Sequence, residues 1–135
     1  MRLTPAHCYA ISALLQLAEL EPGVSVAARD LAKQGQLPKP YLVQVLGKLA
    51  RAGIVLSSLG ATGGYRLAME PEQISLLDVV EAVDNVLADA GALEVGGFNP
   101  HSVELVEQAL VDVTSKARKQ LASLTLSDLR AAKAA

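Results

Sequence analysis

Apolar residues recur every three or four positions through the first fifty residues, a spacing typical of amphipathic helices. The first such stretch begins after Thr4 and Pro5, residue types suited to the N-cap and first position of a helix, and ends near the letters EPG. A second, short helix is predicted between Ser25, as its N-cap, and Gly35. The third stretch, LPKPYLVQVLGKLARAG, predicts a helix that ends at Gly53.

The third predicted helix has one apolar face and one free face. Its apolar positions follow helical spacing and are Leu42, Val45, Leu46 and Leu49, while the other side carries Lys39, Val43, Gln44, Gly47, Lys48 and Arg51. Because a glycine inside a helix costs about 1 kcal/mol relative to alanine, Gly47 is expected to allow close packing against another backbone, of protein or DNA. Helices two and three, joined by the turn GQLP, predict a helix-turn-helix whose second helix enters the DNA major groove.

The stretch LGATGGYRLA, from Leu59 to Ala68, could be a phosphate-binding loop, a flexible linker or a tight turn. A phosphate-binding P-loop needs a lysine directly after the glycines, and a dinucleotide-binding loop needs a helix there. Instead, the short runs IVLS and YRLA flank the glycines and are typical of strands. We therefore predict a β-hairpin wing, in which Gly63 and Gly64 supply the backbone angles of the turn.

The second half of the chain is predicted to be helical. Ser75 and Asp78 form a capping-box pattern that opens a helix running through LLDVVEAVDNVLA, and Thr125 with Asp128 opens a short last helix. Between them, Asn99 and Pro100 begin a long helix with a near-heptad apolar seam. Such a seam packs against its own chain or against a partner, and we favour a partner because the short helices of the first half supply their own core.

Composition and charge narrow the class of protein. The chain is 51% hydrophobic and 19% charged, which predicts a folded domain. No apolar run approaches the length of a membrane span and no signal-peptide pattern is visible, so we expect a cytoplasmic protein without membrane contact. Residues 1–70 carry a net charge of +3 and residues 71–135 a net charge of −5. This asymmetry indicates a basic working end within an acidic chain.

Candidate catalytic and metal-binding residues are few. Cys8, the one cysteine, lies near the start of the first helix, where it is either a somewhat activated, redox-sensitive thiol or a small apolar filler. His7 and His101 have no metal-ligand spacing, so no metal site is predicted. No nucleophile, base and carboxylate pattern is recognisable, and an enzyme is not expected.

Five stretches then carry a resemblance. MRLT, YAISALLQLA, LPKPYLVQVLGKLARAGIV, GATGGYRLA and ISLLDVVEAVD occur in an order and spacing that resembles the Rrf-two family of bacterial transcriptional regulators. The resemblance implies a mainly α fold, a winged helix-turn-helix with a two-stranded β wing plus a long C-terminal dimerisation helix. It also implies a homodimer that represses or activates promoters, and we expect a repressor. The positions that match the family's motifs are Arg2, Tyr41, Gln44, Gly63, Gly64 and Tyr65.

Two positions depart from the family pattern. Members often carry an arginine in the wing where this chain has Leu59, which shifts the expected phosphate contacts to Ser57, Ser58, Thr62 and Arg66. Cluster-binding members place three cysteines after the letters EAVD, whereas residues 89–99 contain none, and iron–sulfur clusters need thiolates. We therefore expect no cofactor, with residues 89–99 at the effector position and the effector unidentified.

These expectations divide the chain into a DNA-binding region, 1–70, and a helical dimerisation region, 71–135. The predicted partner is double-stranded DNA with a pseudo-palindromic operator. Its predicted contacts are Arg2, Lys39, Tyr41, Val43, Gln44, Lys48, Arg51, Ser57, Thr62, Gly63 and Arg66. The predicted dimer interface is Val103, Val106, Leu110, Val113, Ala117, Leu121 and Leu124. The alternative is a winged-helix protein-interaction module that has lost specific DNA binding, an option supported by Leu59 and the acidic net charge.

Overall fold

The structure is a computed structural model that describes residues 1–88, 96–97 and 99–133. Within these residues it contains six α-helices, one antiparallel strand pair and one 3-10 turn. The elements in chain order are α1 (Pro5–Ala18), α2 (Ala28–Gly35), α3 (Lys39–Arg51), β1 (Val55–Ser58), β2 (Gly64–Leu67), the 3-10 turn (Pro71–Gln73), α4 (Leu76–Val83), α5 (Pro100–Ala122) and α6 (Leu126–Lys133). None of the described helices combines the length and apolarity that crossing a membrane requires.

Helices α1, α2 and α3 pack together around one apolar core. Thr4 caps α1 as predicted, and its side chain and that of His7 bond each other's backbone amides. The predicted apolar face of α3 is buried, with Leu42, Leu46 and Leu49 fully inaccessible to solvent. The apolar face of α3 therefore packs into the core, as its periodicity predicted.

The start of α2 differs from the prediction. Its N-cap is Ala27, which makes no side-chain capping bond, and not Ser25. The reason is a backbone bridge: Val26 and Tyr65 exchange two N–H to carbonyl hydrogen bonds of 2.9 and 2.8 Å. This bridge keeps the chain extended for two residues beyond Ser25, so α2 begins later.

Strands β1 and β2 form the predicted hairpin wing, shifted from the predicted runs by one residue, with Val55 opposite Leu67 and Ser58 opposite Gly64. Gly64 has a φ of +143°, and a Cβ there would overlap the carbonyl of Val26. Gly63 does not need a positive φ, contrary to the prediction. It is required because a Cβ at this position would overlap the backbone of Ser58.

Helix α4 begins at the predicted capping box of Ser75 and Asp78 but ends at Val83, five residues before the predicted end. Asp84 is extended, with φ −162° and ψ 107°. The residues after it form a turn in which the side chain of Asn85 accepts the N–H of Leu87. The helix therefore stops although its apolar pattern continues.

The last helix returns to the first half of the chain. Thr125 and Asp128 cap α6 as predicted, and Thr125 forms a backbone bridge with Ser75, so the two capping boxes lie side by side. Leu126 of α6 is 1% exposed and belongs to the same core as Leu14 and Leu46. The core of the winged-helix part, which consists of α1, α2, α3 and the wing, thus also includes residues from the second half of the chain.

Candidate nucleic-acid interface

The free face of α3 forms the centre of the candidate interface. Opposite its buried residues, the outermost line of the helix carries Gln44, Gly47 and Arg51. A Cβ added to Gly47 would meet only the far end of Arg51, at 3.7 Å, so nothing within the described chain requires a glycine there. A backbone or phosphate from outside the chain could therefore approach α3 closely at this point.

The wing lies next to α3, since β1 packs against that helix. Ser57, Thr62 and Arg66 are exposed, as is Leu59, whose side chain is wholly accessible at the hairpin turn. Serine and threonine hydroxyls and an arginine are groups that bind DNA phosphates. The bridge between Val26 and Tyr65 ties the wing to the residue pair before α2, which fixes the wing relative to the helix-turn-helix.

The chain segment that forms most of this surface contains cations and no carboxylates. Between Asp30 and Glu70 the chain has no acidic residue, while it has five cations: Lys33, Lys39, Lys48, Arg51 and Arg66. That segment covers most of α2, all of α3 and the whole wing. The net charges of the two halves of the chain do not reveal this pattern, although the sequence alone contains it. A segment without carboxylates suits a polyanionic partner, because its own charges attract phosphates. Carboxylates from outside the segment lie near Arg66, which lines a groove with Glu19, Glu21, Glu70 and Glu72.

One predicted DNA contact has a partner in its own chain. The Lys48 ammonium donates a 3.0 Å hydrogen bond to the carbonyl of Val83 at the end of α4. Lys48 lies on the flank of α3 that faces α1, where it lines a groove of about 270 Å³ together with Tyr9, Tyr41 and Gln44. Gln44 borders both this groove and the outermost line, whereas Gly47 and Arg51 lie away from the groove. The helical pattern alone did not separate the flank that carries Lys48 from the outermost line.

The remaining predicted contacts of α3 and the N-terminus are solvent-accessible. Lys39 lies at the first position of α3 and is exposed, Val43 is 42% exposed and Tyr41 is 61% exposed. Arg2 precedes the cap of α1 and is also exposed. All four can be reached by a ligand that covers the start of α3.

Cys8 is exposed on α1, which contradicts its interpretation as a small apolar filler within this chain. The alternative, a redox-sensitive thiol, stays a prediction. Across residues 1–88, 96–97 and 99–133, no three His, Cys, Asp or Glu side chains lie close enough together to hold a metal ion. The whole chain supplies one thiol, whereas an iron–sulfur cluster is ordinarily held by several thiolates. The residues of this chain therefore do not fit such a cluster.

The predicted dimer seam lies on α5, which has 23 residues and no buried one. Val106, Leu110 and Val113, in the middle of the seam, are 42%, 53% and 65% exposed. The other helical members, Val103, Ala117 and Leu121, are half-buried. Leu124 lies beyond α5, and its carbonyl accepts the N–H of Leu76, so its backbone belongs to the junction with α4. The centre of the seam is thus not part of this chain's core.

A helix-turn-helix whose second helix is exposed and cationic, followed directly by a hairpin wing, defines a winged helix-turn-helix DNA-binding protein. A family model named Rrf2, described as an iron-dependent transcriptional regulator, matches residues 3–132. The chain belongs to the Rrf2 family of transcriptional regulators, which are not enzymes.

Three similar proteins illustrate the family. A Synechocystis protein described as a candidate HTH-type transcriptional regulator is 42% identical over 88 residues, which are 64% of this chain and 59% of that protein. The HTH-type transcriptional regulator IscR of Vibrio cholerae is 32% identical over 129 residues, 96% of this chain and 75% of that protein. The structure of CymR, the global cysteine regulator of Bacillus subtilis, has a TM-score of 0.75, with 24% identity and 97% of both chains covered. That last likeness shows the fold alone.

Proposed function

We propose that this chain is a cytoplasmic homodimeric repressor that binds a pseudo-palindromic operator in double-stranded DNA and needs no iron–sulfur cluster. The observation that carries the proposal is the acid-free segment between Asp30 and Glu70, whose exposed parts include the outer face of α3 and the wing. An α-helix with a free, cationic face fits the major groove, and the wing beside it offers hydroxyls and Arg66 to the flanking phosphates.

Within this interface, Gln44 is the proposed base-reading residue, because its amide can donate and accept at once at the edge of an adenine. Val43 supplies an apolar contact beside it. The proposed phosphate contacts are Arg2, Lys39, Tyr41, Arg51, Ser57, Thr62 and Arg66. Gly63 takes part by shaping the turn that carries Thr62, because its own N–H donates to the carbonyl of Gly60 at 3.0 Å.

The proposed homodimer is supported by the surface of α5. Leu105, Val106, Leu110 and Val113 expose apolar side chains on one broad side of a single helix. A stripe of this kind is stable in water when a second helix covers it. Two copies of α5 related by a two-fold axis would cover each other's seams and present two copies of α3.

The cluster-free part of the proposal is supported by the cysteine count. A dimer would hold two thiols, both from Cys8, whereas clusters of the common types use four ligands. Protein purified without oxygen should therefore be colourless and contain no stoichiometric iron. Iron in proportion to the dimer, retained through purification, would contradict this part alone.

Selection of duplexes from a random pool tests the DNA-binding function. We expect a motif with dyad symmetry whose half-sites lie about 10 or 20 bp apart. Binding of the selected duplex should weaken steeply as salt rises, because phosphate contacts release counterions. A protein-interaction module, the alternative that the apolar tip of the wing at Leu59 favours, would enrich no motif and show no such salt dependence.

The same duplex tests the role of Gln44. Gln44→Ala should weaken operator binding by about 1–3 kcal/mol and relax base preference at one position of each half-site. Gln108→Ala, a change of the same type on exposed α5, is the control and should leave the motif intact. Unchanged base preference in Gln44→Ala would assign base recognition to another residue.

A further inference from the structure

Two side chains from the helix-turn-helix part meet at the carboxyl end of α4. Lys48 of α3 donates to the carbonyl of Val83 at 3.0 Å, and the Nε2 atom of His7, in α1, lies 2.7 Å from the carbonyl of Asp84. The last carbonyls of a helix have no partner within the helix, and a cation near them is favourable. Both side chains therefore bond to carbonyl oxygens that have no hydrogen-bond partner within α4.

His7 is held in one orientation by a second set of contacts. It is fully buried, and its Nδ1 atom accepts the backbone N–H of Thr4 at 2.9 Å. Because that amide can only donate, Nδ1 carries no proton, and Nε2 is the atom that donates to Asp84. His7 thus joins the cap of α1 to the residue at which α4 ends.

On its other side, α4 packs against α5, where Glu81 and Arg118 form an ion pair of 2.9 Å. Helix α4 therefore lies between the recognition helix α3 and the proposed dimerisation helix α5. Lys48 is the side chain of α3 that bonds to the end of α4. A shift of α4 relative to α5 would move the carbonyl that Lys48 holds.

We propose that Lys48 is a positioning residue, which fixes the orientation of α3 by holding the end of α4, and that it is not a phosphate contact. The proposal rests on the proposed DNA-binding function and makes the end of α4 the point at which the arrangement of the dimer is coupled to operator recognition. Base readout depends on the angle at which α3 enters the groove, whereas binding to any duplex depends on phosphate contacts. If Lys48 positions α3, its loss should therefore weaken binding to the operator. If Lys48 contacts a phosphate, its loss should weaken binding to any duplex.

Lys48→Met tests this, because it keeps the length of the apolar stem and removes the donor. We expect affinity for the selected operator to fall about tenfold, a typical size for coupling between sites, while affinity for random duplex changes less than about twofold. The slope of log affinity against log salt should stay at its wild-type value. Lys48→Arg, which keeps a donor and the charge, should restore much of the operator affinity.

Arg51→Met is the matched control on the outermost line of α3. It should weaken operator and random duplex together and reduce the salt slope by about 0.9 for each phosphate that the variant no longer neutralises. If Lys48→Met behaves like Arg51→Met, Lys48 is a phosphate contact and the proposal is overturned. Unchanged operator affinity in Lys48→Met would also overturn it.

A measurement without DNA tests the positioning role of Lys48 independently of the proposed DNA-binding function. Amide hydrogen exchange in the last turn of α4 should become faster in Lys48→Met than in wild type or Arg51→Met, because the variant cannot form the capping bond. If wild-type protein bound no duplex but the difference in exchange remained, the proposed DNA-binding function would be refuted and the link between α3 and α4 would stand. Equal exchange in all three proteins would refute the link between α3 and α4.

Discussion

The winged-helix part buries its apolar residues within the chain, whereas helix α5 exposes apolar residues to solvent. Leu14, Leu42 and Leu46 are fully buried within the chain, whereas Leu110 and Val113 of α5 are more than half exposed. Burial stabilises an apolar side chain by about 1.5–3 kcal/mol, so the first region obtains its stability from its own chain. Helix α5 requires a second surface to obtain the same stabilisation. The stability of one region should therefore be independent of protein concentration, and that of the other should depend on it.

Leu110→Glu should produce the largest effect. In each chain of the proposed dimer it would place a carboxylate without a partner in the seam, and each such carboxylate costs about 3–5 kcal/mol. We expect sedimentation velocity to show monomers at micromolar concentration, with loss of operator binding. Circular dichroism should retain the helices of the winged-helix part. Ser115→Glu, on the opposite side of α5, is the control and should remain dimeric. A wild-type protein that is already monomeric would contradict the contrast between the two regions.

Leu46→Ala tests the winged-helix part, whose apolar residues are buried within the chain. Removing a fully buried leucine side chain should lower the free energy of unfolding by about 2–5 kcal/mol, through reduced burial and the cavity that remains. Thermal unfolding measures this decrease, and the dimer dissociation constant well below the transition should not change. Val43→Ala, on the exposed side of the same helix, is the control. A change in dimer affinity as large as the change in stability would show that the two regions are one cooperative unit.

Gly47→Ala should have a smaller effect, with opposite signs in two measurements. Since no atom of the described chain crowds this position, alanine should raise the free energy of unfolding by about 0.5–1 kcal/mol. Operator binding should weaken, because the added methyl group separates α3 from the DNA. Denaturant unfolding and operator titration check the two signs. Stronger or equal operator binding would mean that DNA does not approach α3 at Gly47.

Cys8→Ser should have the smallest effect. The side chain is exposed, and exposed substitutions usually change stability by less than about 0.5 kcal/mol. Operator binding should stay within about twofold of wild type when the protein is reduced. A loss of operator binding on mild oxidation that Cys8→Ser abolishes would make this thiol a redox switch.

The features that the sequence predicted correctly are local ones. The capping boxes at Ser75 and Thr125 and the cap at Asn99 each join residues three positions apart, so the pattern contains the whole interaction. The buried face of α3 follows in the same way from helical periodicity.

Two of the errors concern ends of helices that distant residues determine. The start of α2 depends on Tyr65, about forty positions from Val26, and the end of α4 lies where Lys48 and His7 reach its carbonyls. No local pattern near Asp84 indicates this end, because the apolar spacing continues past it. For the candidate interface, the sequence indicated the free side of α3 but did not distinguish its outermost line from the flank that holds Lys48.

The position of Leu126 in the core has a consequence for how the protein is made. This side chain belongs to the same core as residues of α1 and α3, and its helix contacts α1, although it follows the wing by more than fifty residues. During synthesis the helix-turn-helix and wing leave the ribosome first, and their core stays incomplete until α6 has also emerged. Ile74 and Val79, which share that core, also arrive after the wing. A nascent chain stalled before α6 should therefore expose the apolar surface that Leu126 covers, and DNA binding should mature only after α6 is translated.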